Sequence, residues 1–217
     1  IKYFESAHIN DWEERILYCL YKLKKFDEFK DKLAEPIKQK NYSPFLATLS
    51  AHYAQNFRIE DPYNFCPSPL NFVCHEQIPE LVDDNQKLIK DLLDDINSAG
   101  IGHRKQSRLT AGIPSSGNLF KRKELSFNKL SQALIKIIRK YFLRHKDEDN
   151  EFIKSFPKDI IFSSAWYVKM QLGGHLSSHI HEDGWISGAV YLTIPNESGP
   201  DGQEGAIELS TDGDEYP

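Results

Sequence analysis

Apolar residues recur at helical spacing between residues 12 and 56. Repeats at i, i+3 and i+4 predict amphipathic helices whose apolar sides face a core. A polar break separates the first two stripes, and Pro44 suits the first turn of a third helix because its missing N–H costs nothing there. The stripes are Ile16, Leu17, Leu20, Leu23 and Phe26; Phe29, Leu33 and Ile37; and Phe45, Leu49 and Tyr53. These short helices are similar to one tetratricopeptide-type hairpin, a unit that cannot bury its apolar face alone.

Two more helices are predicted in the middle of the chain. The first ends at Gly100, since glycine readily adopts the left-handed conformation that closes a helix. The second spans residues 126–145, and the segment "TAGIPSSGNLF" between the two helices is turn-rich. The predicted buried positions are Leu88, Leu92, Leu93 and Ile96 in the first helix, and Leu130, Leu134, Ile137, Ile138 and Tyr141 in the second.

The segment "EDPYNFCPSPLNFV", residues 60–73, contains three prolines, which forbid a regular helix. Its aromatic residues argue against a flexible linker, and we expect an ordered connector that packs its rings on the following domain. After Pro157 the composition becomes typical of strands, with branched and aromatic runs at residues 159–170, 186–194 and 205–210. The sequence therefore predicts an α+β chain with a helical segment over 1–57, a connector over 58–82 and a second domain over 83–217.

Composition and charge exclude several classes of protein. A net charge of −5 argues against a general nucleic-acid-binding protein, and no apolar run approaches the length needed to cross a bilayer. Three cysteines, an odd number without metal-binding spacing, indicate reduced thiols and a cytoplasmic protein. The chain begins without Met and stops just after a strand-like segment, and we therefore expect it to be a piece of a longer protein.

Histidines cluster in the stretch "GGHLSSHIHEDGW". Residues two apart on a strand point to the same side, so that His179 and His181 can reach one ion. His175 has the same parity but lies about 13 Å away along an extended chain, too far to share a metal. A solvent-facing pair of histidines without any ligand is the alternative, because the His-x-His pattern is weak by itself.

The same stretch resembles a known family. The runs "MQLGGHLSSHIH", "HIHEDGWISGAVYLTIP" and "GQEGAIEL" are similar to the core of 2-oxoglutarate/Fe(II)-dependent oxygenases. More closely, they resemble a bacterial group with an HxH-x-x-Gly-Trp-x-Ser-Gly block. The resemblance implies a double-stranded β-helix, or jelly roll, that uses Fe(II) and 2-oxoglutarate to hydroxylate a substrate, with a protein or peptide as one possibility. It spans most of the chain, and its specific part is residues 166–195.

The resemblance assigns metal ligands by position. His179 falls on the first ligand, and His181 falls where the family usually has a carboxylate. Either both histidines bind the metal, or the register shifts and Asp183 supplies the carboxylate; the spacing from the Gly-Gly turn favours the two histidines. Met170 and Tyr191 are candidate cofactor contacts, with core packing as the favoured alternative.

The family's distal His and its basic residue for 2-oxoglutarate lie beyond the matching strands. No His, Arg or Lys follows Asp183 in this sequence, and a dicarboxylate without a cation is physically implausible. We therefore expect an oxygenase domain truncated at its C-terminus. The alternatives are a protein-interaction module with a degenerate, non-catalytic barrel, and a cupin-like metal protein that does not use 2-oxoglutarate.

Overall fold

Three helices form where the apolar stripes predict them. The computed structural model describes residues 11–40, 43–181, 184–194 and 204–211. Helices α1 (Trp12–Lys22), α2 (Phe26–Gln39) and α3 (Pro44–Phe57) open the chain. Pro44 occupies the first turn of α3, and the Ser43 hydroxyl caps the helix by accepting a hydrogen bond from the Leu46 backbone N–H at 3.4 Å. Leu23 departs from the predicted stripe, because α1 ends one residue before it and its side chain is 62% exposed.

The remaining elements alternate between helices and two strands. In chain order they are α4 (Pro79–Val82), α5 (Lys87–Ser98), β1 (Leu109–Pro114), α6 (Leu125–His145), α7 (Glu151–Lys154) and β2 (Val168–Leu176). Short 3-10 helices lie at Pro69–Phe72, Asp84–Gln86 and Leu119–Lys121. Gly100 follows α5 with φ +59, as the predicted helix end requires. Within the described ranges, no helix is both long and apolar enough to cross a bilayer.

The first of two hydrophobic cores joins the N-terminal helices to residues much later in the chain. Tyr21 and Phe29 are fully buried at its centre, with ring centroids 5.1 Å apart. The connector contributes Tyr63 and Phe65 to this core, so its rings pack with the N-terminal helices as well as with later residues, and not on the following domain alone as we expected. The buried members are Ile16, Leu17, Leu20, Tyr21, Phe29, Leu33, Phe45, Leu46, Ala47, Leu49, Tyr53, Tyr63, Phe65, Tyr141, Phe152 and Ile153.

The connector is fixed to α3 by buried hydrogen bonds. The Tyr63 hydroxyl accepts a hydrogen bond from the backbone N–H of Ser43 at 2.6 Å. Asp61 accepts hydrogen bonds from the Ser50 hydroxyl at 2.5 Å and from the backbone N–H of Tyr63 at 3.0 Å. These bonds satisfy polar groups that would otherwise be buried at a cost.

We expect the Tyr63→Phe substitution to lower the free energy of unfolding by about 2 kcal/mol, because it leaves the buried Ser43 N–H without an acceptor. Urea denaturation followed by circular dichroism measures this change. Tyr191→Phe is the matched control, since its side chain is 47% exposed, and we expect a change below about 0.5 kcal/mol. Equal effects of the two substitutions would contradict a structural role for the Tyr63 hydroxyl.

The second core lies between α5 and α6. Leu92 and Phe127 are almost completely buried there, and partly buried residues that precede and follow the histidine stretch pack against them. Leu93, predicted as buried, is only half-buried. The buried members are Ile78, Leu81, Leu88, Leu92, Ile96, Ile101, Leu119, Phe127, Leu130 and Ala133, and the partly buried ones include Ala165, Tyr167, Val190 and Leu192.

Strands β1 and β2 form an antiparallel pair, and β1 lies in the segment that we predicted to be turns. Its sequence is LTAGIP, and its register shifts between Thr110 and Gly112, around Ala111 with φ +45. A side chain at Gly112 would lie 3.1 Å from the Met170 sulfur on β2 and 2.8 Å from a methyl carbon of Leu109. The glycine thus permits close pairing with β2, and this tertiary contact overrides the local preference for a turn.

The predicted strands are mostly absent from the part of the chain that the structure describes. The first begins at Val168 rather than at residue 159, and residues 186–194 and 205–210 form no strand. Strand formation needs a neighbour that bonds the backbone N–H and C=O groups, and among the described residues the sheet has two strands only. The architecture is α+β as predicted, whereas this two-stranded sheet does not make up the expected jelly roll.

All three cysteines are free thiols. Burial raises the pKa of the Cys66 thiol to about 11, so that at neutral pH it is protonated and unreactive. Cys66 belongs to the packing around the first core, which fits a structural thiol rather than a nucleophile.

Candidate metal centre

The histidine pair lies directly after β2, in a segment that Arg108 holds in place. The backbone N–H of Ser177 donates to the carbonyl of Arg108 at 2.9 Å, which extends the β1–β2 pairing by one bond. The Arg108 guanidinium donates to the carbonyl of Ser178 at 3.0 Å. These two bonds hold the segment that follows β2, which bends at Ser178 before it reaches His179 and His181.

The two imidazole rings of His179 and His181 meet side by side. Their Nε2 atoms are 3.0 Å apart, and the rings are roughly parallel, with centroids 4.9 Å apart and an interplanar angle of 29°. The structure thus brings together the two residues that the sequence predicts on one side of the chain. Two ligands at right angles, each about 2.1 Å from a common ion, would have their nitrogens about 3 Å apart.

Hydrogen bonds to the Nδ1 atoms set the tautomer of His179 and leave both tautomers open to His181. Nδ1 of His179 lies 2.8 Å from the carbonyl oxygen of Ser177, and because a carbonyl only accepts, this nitrogen carries the proton. Nε2 of His179 is then unprotonated, and its lone pair is able to accept a hydrogen bond or bind a cation. Nδ1 of His181 lies 2.9 Å from the Ser187 hydroxyl, which either donates or accepts. Without a cation, Nε2–H of His181 can donate to Nε2 of His179, while the hydroxyl donates to Nδ1.

A cation between the Nε2 atoms would need both lone pairs. The proton on His181 would then move to Nδ1 and be donated to the Ser187 hydroxyl, a change that this contact accommodates. Both imidazoles would thus keep a partner on Nδ1, the arrangement that orients metal-binding histidines in proteins. The donor set fits two adjacent coordination positions of a ferrous ion.

The electrostatics of His181 favour the neutral ring that a metal requires. Partial burial lowers its pKa first, and the neighbouring His179 lowers it further. The indole of Trp166 stacks on one face of the imidazole, with ring centroids 5.7 Å apart. At neutral pH the ring therefore needs to release no proton to solvent before it binds a cation.

Among the described residues, the structure brings no other predicted site residue to the pair. Asp183, the alternative carboxylate ligand, and its neighbour Glu182 lie outside the described residues. His175 pairs with Thr110 in the sheet and is exposed. Within the described ranges, no group of three or more His, Cys, Asp or Glu side chains gathers around a common point.

Met170 and Tyr191 lie on the surface rather than in a core. Met170 is 48% exposed on β2, and Tyr191 is 47% exposed beside Gly205. The preferred interpretation of both as core residues is therefore wrong for the described structure, and no contact joins either to the histidine pair in the part described.

Sequence reasoning missed three contributors to the site. Ser187 was not predicted as a site residue, whereas its hydroxyl contacts Nδ1 of His181. Arg104 lies with its guanidinium carbon 4.7 Å from the centre of the Trp166 ring, and Arg108 holds the segment before His179. Local sequence gave no signal for the two arginines, because about 60 to 70 residues separate each from its contact. The run "HRKQSR" was the available sign, as a compact basic cluster in an acidic chain.

One comparison with known proteins bears on this geometry. A family model described as "Putative 2OG-Fe(II) oxygenase" matches residues 164–217, about a quarter of the chain. No curated protein and no solved structure matches the sequence. The matched region contains the histidine pair, together with Trp166 and Ser187, and it is similar to a domain that uses iron and 2-oxoglutarate.

Proposed function

We propose that this protein is a non-haem Fe(II)- and 2-oxoglutarate-dependent oxygenase of the hydroxylase type, in which His179 and His181 bind the iron. The observation that carries the proposal is the 3.0 Å separation of the two Nε2 atoms inside the region that matches the oxygenase family. The hydrogen bonds of both Nδ1 atoms support it, since each imidazole would keep a partner on Nδ1 while its Nε2 binds the ion.

The remaining parts of the proposal follow the family resemblance. Asp183 is the candidate carboxylate ligand, and Met170 and Tyr191 are candidate contacts of the cofactor. The double-stranded β-helix belongs to the proposal as well, with the β1–β2 pair as its described portion. A cupin-like metal protein that does not use 2-oxoglutarate is the rival that also accommodates the histidine pair.

The protein's own residues would prepare the site for the chemistry. The Ser177 carbonyl holds the tautomer of His179, the Ser187 hydroxyl follows the proton of His181, and Trp166 shields the His181 ring from water on one face. When bound, ferrous iron with 2-oxoglutarate would activate molecular oxygen, which is the oxidant for cleavage of a substrate C–H bond.

An anaerobic Fe(II) titration, with and without 2-oxoglutarate, tests this function. We expect one equivalent of iron to bind, and this binding to be lost in the His179→Ala variant. A visible charge-transfer band on addition of 2-oxoglutarate would require a cation from the residues before Asp183 to pair with the co-substrate, since no Arg or Lys follows Asp183. Iron binding without a band would favour the cupin-like alternative, and the absence of iron binding would favour the interaction module.

A further inference from the structure

The loop before β1 is strongly basic in a chain that is acidic overall. No Asp or Glu occurs from residue 96 to residue 123, although the chain has a net charge of −5. Arg104, Lys105 and Arg108 are all exposed in this loop. In the described structure no carboxylate forms an ion pair with any of the three, in contrast to Arg122, which pairs with Glu124 at 2.5 Å. Their charges are therefore available to an anionic partner.

A cavity of about 670 Å³ lies between this loop and β1. Residues 104–107 line one side, and Leu109, Gly112 and Pro114 line the other. Its wall thus combines two cationic side chains with apolar surface and strand backbone. The cavity is shallow and largely open to solvent, so it can receive an extended segment laid along the strand but does not enclose a small ligand.

The loop lies along the edge of β1 that faces away from β2. Ser115 donates its backbone N–H to Tyr167 on the β2 side, whereas its neighbours Pro114 and Ser116 bond to Arg104 and Gly102 on the opposite side. Beyond these two bonds the loop diverges, and among the described residues no third strand pairs with β1. A free strand edge of this kind pairs readily with an extended peptide.

Ring contacts connect the basic loop to the histidine pair. The Arg104 guanidinium lies 4.7 Å from the centre of the Trp166 ring, and that ring lies 5.7 Å from the ring of His181. The single indole thus contacts both the cation that would bind an anion and the imidazole that would bind iron. Trp166 and His181 would therefore be the two side chains between the proposed metal and a ligand bound to Arg104.

The chemistry of Gln106 favours a ligand with hydrogen-bond donors. Its Oε1 atom is buried and has no partner among the described residues. Rotation of the terminal amide into the cavity that Gln106 lines would give this oxygen a donor from a bound peptide N–H. The 2-oxoglutarate dianion has no donor, so this group distinguishes a polypeptide from the free co-substrate.

We infer that the loop of residues 103–108 and the free edge of β1 bind an extended polypeptide segment rich in Asp and Glu, whose carboxylates pair with Arg104 and Lys105. The role of that segment as the substrate rests on the proposed oxygenase function, since binding beside Trp166 would bring it close to the histidine pair. The binding itself requires no metal.

Fluorescence anisotropy with a labelled peptide of alternating Glu and Val tests the inference in the whole chain and in metal-depleted buffer. We expect the double variant Arg104→Gln/Lys105→Gln to bind it about tenfold more weakly, because two charged hydrogen bonds are lost. The matched control is Lys121→Gln/Lys123→Gln, which removes the same charge from exposed sites in the same basic segment. We expect its affinity to stay within about twofold of the unaltered protein.

Two comparisons on the unaltered protein do not depend on how the variants fold. A Gln and Val peptide of the same length should bind at least about tenfold more weakly than the Glu and Val peptide. A tenfold excess of 2-oxoglutarate over the peptide should leave the peptide bound. Equal binding of both peptides, equal losses in the two double variants, or displacement by 2-oxoglutarate would each overturn the inference. Because no iron is present, none of these results depends on the metal site.

Discussion

Replacement of His179 by Ala is expected to weaken Fe(II) binding by at least about 100-fold, because the ion loses a direct ligand, whereas loss of a supporting hydrogen bond costs about 10- to 100-fold. The two Nε2 atoms, 3.0 Å apart, leave room for one shared ion, and neither ring has another ligand of the same kind nearby in the described part. Anaerobic competition with a chromophoric chelator measures the dissociation constant. His181→Ala should have an effect of the same size.

Two control variants distinguish the loss of a metal ligand from the effect of removing any nearby histidine or hydrogen bond. His175→Ala removes an exposed imidazole on β2, four residues before His179, and should leave iron affinity within about twofold, since that ring lies outside the pair. Ser187→Ala removes only the hydroxyl that contacts Nδ1 of His181, and a loss of about tenfold is expected. Comparable losses for His175→Ala and His179→Ala would exclude the pair as the iron site.

Replacement of Trp185 by Ala is expected to lower the free energy of unfolding by about 3 kcal/mol, because a large, half-buried indole packs on the first core. Its ring centroid lies 5.1 Å from that of Phe65, and its N–H donates to the carbonyl of Phe152 at 3.1 Å. Trp185 therefore connects the segment that contains Ser187 to the connector and α7 in the first core. Denaturant unfolding measures the stability, and iron affinity should fall in the same variant because Ser187 loses its support.

Trp185→Phe is the matched variant, since it keeps most of the ring packing and removes the N–H. We expect a loss of about 1 kcal/mol in the free energy of unfolding, the size of one hydrogen bond, and nearly unchanged iron affinity. If Trp185→Ala were as stable as the unaltered protein, the segment from residue 184 to residue 194 would not depend on the first core.

The helices could be predicted from the sequence because their signals are local. The stripe that includes Phe29 and Leu33 recurs within single turns, and both side chains are buried. Pro44 and Gly100 mark a helix start and a helix end through backbone constraints that their neighbours do not change. The prediction that Leu23 belongs to the buried stripe was wrong, because apolar periodicity does not specify the residue at which a helix ends.

The strands and most of the site could not be predicted in this way, since they depend on contacts distant in sequence. The β1 segment has the composition of a turn, and it forms a strand because β2 supplies its hydrogen bonds. The close approach at Gly112 likewise depends on Met170 of the other strand. We expected His179 and His181 to approach each other through strand alternation, whereas β2 ends at Leu176 and both follow it outside any strand, so their 3.0 Å approach has another local cause. The contact of Arg104 with Trp166 joins segments 62 residues apart, and no local pattern indicates it.

X-ray absorption at the iron edge of the Fe(II)-loaded protein tests the central claim most directly, because it counts imidazole ligands around the ion. Two imidazoles at about 2.1 Å are expected in the unaltered protein. One should remain in His181→Ala when iron is supplied at a concentration high enough to fill the weakened site. An unchanged imidazole count in that variant, or a spectrum of the unaltered protein without imidazole scattering, would contradict the assignment of His179 and His181 as joint ligands of one ion.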